Sequence, residues 1–191
     1  MGRRGFAAMI AAAAVAGAPG AARGEPGSGA IAAEVLGWLH RTNSAAIEGG
    51  ELAAQKSTSA RVRQLAAQLV GDHTALEQEV GALAAAHGLE LPGTGASAPG
   101  DDASQGLAAL EDLRGGTFDA AFLRWVADQG RQGATQARSA QARAQQSREP
   151  ALTALLDRLA PQLEARAQAA RAAQRPVAAR TPPSARRRSS H

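Results

Sequence analysis

The stretch "LVGDHTALEQEV" (Leu69 to Val80) sets an imidazole, His73, on the same helical face as Leu69, Leu76 and Val80. A neutral imidazole there can ligate a metal, or be a core histidine satisfied by hydrogen bonds. Glu48, beside Ala45 and Leu52 at the edge of another apolar stripe, reads as a solvated flank. His87 stands near a helix end before Gly88 and reads as a charge partner for that terminus. His40 and His191 show no constellation around them, and Glu77 falls off the apolar seam. Cysteine is absent, which excludes disulfides, thiolate metal sites, a Cys nucleophile and a Cys lipid anchor. Neither Gly-x-Ser-x-Gly nor Glu-x-x-His occurs, and no Gly-rich loop follows a strand, so hydrolase, ferritin-type di-metal and nucleotide-binding readings lack their parts.

These side chains need helices to hold them. Alanine dominates the apolar fraction and aromatics are 3%, which with abundant Leu, Gln, Arg and Glu predicts an all-α fold. A first helix is expected over about Ala30 to Ser57, with Ile31, Val35, Trp38, Ala45 and Leu52 inward; Gly49 and Gly50 weaken it and suit close helix approach. "STS" (Ser57 to Ser59) supplies N-caps for a second helix. Its seam is Val62, Leu65, Leu69, His73, Leu76, Val80, Leu83 and His87, ended by Gly88. The long connection from Leu91 to Ser104 leads to a short helix, "QGLAALEDLRG". A third long helix, capped by Thr117, carries Phe118, Phe122, Trp125, Gln129, Gln132/Gly133, Gln136 and Ala140. Pro150 opens a fourth, with Leu152, Leu155, Leu156, Leu159, Leu163 and Arg166 on its stripe and a kink or restart expected at Pro161.

The ends differ from the middle. The net charge is +4, yet residues 31–174 hold 13 Lys and Arg against 16 Asp and Glu, so the positive excess lies outside them. Residues 1–24 read as an export signal: Arg3 and Arg4, the apolar run "FAAMIAAAAVAGA", then "PGAARG", with cleavage near Ala21 or Ala22. "RRGF" resembles a twin-arginine pattern, though a basic n-region alone explains it. Residues 25–29 are a linker, 30–174 the folded domain and 175–191 a disordered basic tail. The mature chain is expected in the periplasm or secreted, with no transmembrane span.

Four stretches are similar, in order, to the bacterial ferritin-like family called domain of unknown function 4142. They are "IEGGELAAQKS", "RVRQLAAQLVGDHTALEQEVGALAAAHGLELP", "GGTFDAAFLRWVAD" and "EPALTALLDRLAPQLEAR". The resemblance implies a ferritin-like antiparallel four-helix bundle, with the short extra helix in the connection between helices two and three. It also implies an envelope location and no established reaction. The family places a Glu in the first helix and a His in each of the other three. Glu48 and His73 match; Gln129 lies near the third position and Arg166 stands at the fourth, both as substitutes at former ligand positions.

Three functions are weighed. The first is a non-enzymatic exported bundle whose metal site is degenerate, Arg166 replacing a cation beside Glu48 and His73, with no cofactor. The second is a mononuclear site for a divalent metal. The third is an envelope binding module whose Arg186 to Arg188 cluster touches anionic surfaces; nucleic acid is disfavoured because no aromatic residues interleave with the arginines.

Overall fold

A computed structural model describes residues 28–91 and 102–175. Five helices follow in order: α1 (Ser28–Lys56), α2 (Ala60–Ala86), α3 (Asp102–Glu111), α4 (Gly115–Gln146) and α5 (Pro150–Gln174). No strand occurs among the described residues, and no helix there is long and apolar enough to cross a membrane. The export signal, all but the last two linker residues, most of the long connection and the tail beyond Arg175 lie outside the described residues.

Local chemistry sets most boundaries. Ser59 caps α2, its side chain accepting from the Val62 N–H, and Pro150 fills the first turn of α5. α2 closes at Gly88, whose φ of +65° lets the Leu89 N–H turn back to the Ala84 carbonyl. Arg148 performs the same turn after α4 at φ 57°, with the Glu149 N–H on the Ala144 carbonyl.

Three expectations shift. α1 starts at Ser28, inside the expected linker. α4 begins before Thr117, because Gly115 turns the chain at φ +56° and the Arg114 carbonyl already accepts from the Phe118 N–H. α5 runs through Pro161 without a restart. Pro161 and Asp157, whose carbonyl loses its helical partner, are both exposed, so water can take the vacated bond.

Side-chain pairs fix the directions. Asn43 meets His73 and His40 meets Glu77, so α1 and α2 are antiparallel. Gln141 meets Asp157 and Arg138 meets Glu164, so α4 and α5 are too. Glu34 with Arg143, and Gly49 against Trp125, set α1 antiparallel to α4. The tightest pairings are α1 with α2 and α4 with α5, joined through α1 and α4; α2 touches α5 only lightly. A Cβ on Gly49 would fall 2.5 Å from the Trp125 ring, and one on Gly50 2.6 Å from Val70, so both glycines serve close approach.

The apolar core has two parts. One gathers Val35, Leu36, Leu39, Val80, Leu155 and Leu156; the other Leu69, Leu107, Leu110, Phe118, Phe122 and Trp125. On α1 the parts are separated by His40 and Asn43, and on α2 by His73. The sequence seam of α2 is only half covered: Val62, Leu69, His73 and Val80 are buried, whereas Leu65, Leu76 and Leu83 are half-buried. Ala66 and Ala84 bury instead, because α1 covers that side of the seam while α5 stands off. On α4, Gly133 and not Gln132 takes the inward place of the Gln132/Gly133 pair, and Gln136 leaves the expected stripe for solvent while Ala137 is buried.

Candidate functional site

His73 is the centre of a polar layer between the two apolar parts. The residue is 3% exposed. Arg166 Nη1 lies 2.7 Å from His73 Nε2, and a guanidinium only donates. Nε2 therefore carries the lone pair and the ring proton sits on Nδ1. Nδ1–H donates to Asn43 Oδ1 at 2.9 Å, which turns the Asn43 amide so that Nδ2 donates to Glu77 Oε2, again at 2.9 Å. Glu77 Oε1 accepts from His40 Nδ1. At the other end, Arg166 Nη2 donates to Asp72 Oδ2 at 2.9 Å. A continuous chain of hydrogen bonds thus links Asp72, Arg166, His73, Asn43, Glu77 and His40 across α5, α2 and α1; Arg166 donates to both of its neighbours and Glu77 accepts from both of its own.

The electrostatics agree with these directions. Burial, and then the Arg166 charge, hold the His73 pKa down at about 3, from an ordinary 6.5. His73 is neutral near pH 7, as its role of acceptor from a guanidinium requires. Asn43, fully buried, makes a bond with its oxygen and another with its nitrogen. The layer therefore avoids the cost of a stranded buried amide, about 1–3 kcal/mol.

Beside His73 is an internal cavity of about 20 Å³, lined by Thr42, Leu69, His73, Trp125, Gln129 and Arg166 among others. That is room for about one water. It owes its narrowness to close packing of α4 on α5: a Cβ on Gly130 would fall 2.7 Å from the Leu163 carbonyl oxygen.

Three of the four residues singled out from sequence, His73, Gln129 and Arg166, therefore converge. The fourth does not. Glu48 is exposed and outside the chain of bonds, because five residues beyond Asn43 place it about 140° round the helix. The carboxylate paired with Arg166 is Asp72, so the expected meeting of Glu48, His73 and Arg166 is replaced by Asp72, Arg166 and His73. Two further expectations are corrected. His40 has a constellation after all, and Glu77, half-buried, holds both His40 and Asn43. Among the described residues, no group of three or more His, Asp or Glu side chains is placed to hold a metal ion. His87 caps α2 with its backbone N–H, and its ring lies 3.5 Å from the carboxylate of Glu149.

The missed members carried a signal. Leu36, Leu39, Asn43 and Ala46 follow one another at three- and four-residue steps, which set Asn43 on an apolar stripe, and His73 and Glu77 are four apart. A buried amide facing a buried imidazole needs a pairing of helices that periodicity in one helix does not contain.

The family described as Domain of unknown function (DUF4142) matches residues 16–173, which span α1 to α4 and all but the last residue of α5. No curated protein and no solved structure matches the chain.

Proposed function

The chain belongs to the family Domain of unknown function (DUF4142). From that membership and the geometry around His73, we propose that it is an exported, non-enzymatic, ferritin-like four-helix bundle of the cell envelope in which a guanidinium fills a cation's place. The observation that carries this is the 2.7 Å contact from Arg166 to His73 Nε2, with Nδ1 held by Asn43. A metal-bound imidazole has the same arrangement: one nitrogen faces the ion and the other N–H donates to an oxygen that fixes the ring. Here the charged group opposite Nε2 is covalently attached and permanently protonated.

A divalent ion does not fit the residues present. His73 Nε2 is engaged, Gln129 offers only a neutral amide, Asp72 at the rim lies beside the fixed positive charge of Arg166, which repels a second cation, and Glu48 faces away. Borderline divalent ions need several His, carboxylate or thiolate ligands at once. The same layer offers no nucleophile beside a base, so the reading assigns it no reaction.

Metal titration of the purified protein tests this. Elemental analysis should find no stoichiometric metal, and added Zn²⁺, Mn²⁺ or Fe²⁺ should leave the melting temperature unchanged. The double variant Arg166→His with Gln129→His returns two imidazoles to the cavity wall and should gain a Zn²⁺-dependent rise in melting temperature. A parent protein that purifies with one tightly held metal per chain overturns the reading.

A further inference from the structure

Arg166 also faces outward. Between α2 and α5 runs an open groove of about 530 Å³, lined by Arg166 as the internal cavity is. Its size lies within the ~300–1,000 Å³ usual for small-molecule sites. The groove stays open because Ala75, Ala165 and Ala169, all exposed, stand where larger side chains would fill the space between α2 and α5. Half-buried Leu65 and Leu76 line it above the buried Leu69, Leu155 and Leu159, and two ion pairs bridge it, Asp72–Arg166 and Glu79–Arg158.

The first of these pairs is unequal. The Arg166 side chain is 13% exposed and that of Asp72 63%. A carboxylate so well hydrated gains little from a surface ion pair and leaves it cheaply. The guanidinium, withdrawn from water and anchored on His73, depends on an anion beside Nη2. Another carboxylate arriving along the groove can take that place.

We infer that this groove binds a single-chain amphiphile with a carboxylate head, of the fatty-acid class. The head replaces Asp72 at Arg166 Nη2, and the alkyl chain lies over half-buried Leu76 and exposed Ala75 and Ala165, toward the Arg158–Glu79 bridge. From Arg166 to Leu155, α5 extends ~16 Å at 1.5 Å per residue, a span for an extended chain of about a dozen carbons.

Calorimetry on the purified protein tests this with dodecanoate below its micellar concentration, beside dodecyl maltoside and dodecyltrimethylammonium. The expected result is one dodecanoate per chain, bound at least tenfold more tightly than either other amphiphile. Ala165→Phe fills the groove from an exposed position and should abolish binding while circular dichroism shows the parent's melting curve. Asp72→Asn removes the internal competitor and should tighten dodecanoate severalfold. Absence of dodecanoate binding, equal affinity for the three amphiphiles, full binding by Ala165→Phe, or an unchanged or weakened affinity in Asp72→Asn each overturns the inference.

Discussion

Asn43 on α1 and His73 on α2 meet through one hydrogen bond of 2.9 Å that carries the orientation of the whole polar layer. Because Arg166 occupies Nε2, Asn43 is the acceptor for the only ring proton, and its amide nitrogen is thereby directed to Glu77.

Truncating this link should therefore cost more than one hydrogen bond. Asn43→Ala leaves the His73 Nδ1–H and one Glu77 oxygen without their partner, and we expect a loss of about 1–3 kcal/mol. Urea denaturation of the parent and variant, compared at one slope, measures it; a loss under about 0.5 kcal/mol would remove Asn43 from the layer.

Glu77→Ala gives a second reading of the same chain. The half-buried carboxylate holds both His40 and Asn43, so its removal should cost about 1–3 kcal/mol, whereas Glu51→Ala, on the exposed face of α1, should stay within about 0.5 kcal/mol. Equal effects at the two positions in chemical denaturation would return Glu77 to the status of a solvated residue.

The depressed His73 pKa predicts how stability depends on pH. The folded value of about 3 lies below the unfolded 6.5, so between them the unfolded chain binds a proton that the folded one refuses. The contribution of His73 is complete above pH 6.5 and is lost as pH falls through that window, by about 1.4 kcal/mol per unit. Carboxylates add their own slope at lower pH, so the test is the parent minus His73→Gln from pH 6.5 to 5. A difference that does not change with pH would contradict the neutral, buried imidazole.

Arg148 adopts a left-handed φ of 57° where α4 turns into α5, a conformation that Gly88 provides after α2 at +65°. A side chain there is strained and glycine is not, so Arg148→Gly should stabilise the protein by about 0.5–1 kcal/mol despite the greater freedom of its unfolded chain. Thermal unfolding reads the sign; a lower melting temperature would show that the turn relies on the arginine side chain.

The sequence by itself determined the helices. Propensity, the Ser59 cap, Gly88 and Pro150 act within a few residues, so α2 and α5 lie where local chemistry places them, and the apolar steps on each helix identify its inward side. Periodicity also set His73 inward and Arg166 on the α5 stripe. It did not determine which residue of α1 would face them. That choice depends on the axial offset and rotation of α1 against α2, set by the approach of Gly50 to Val70 and of the small residues along both seams, while the approach of Gly49 to Trp125 seats α1 on α4. A turn of about 140° separates Glu48 from Asn43 on one helix, and only the packed bundle decided between them. The opening between α2 and α5 is likewise a tertiary outcome: the alanines that permit it are distributed over two helices, and an apolar leucine looks the same in sequence whether a neighbour covers it or a groove exposes it.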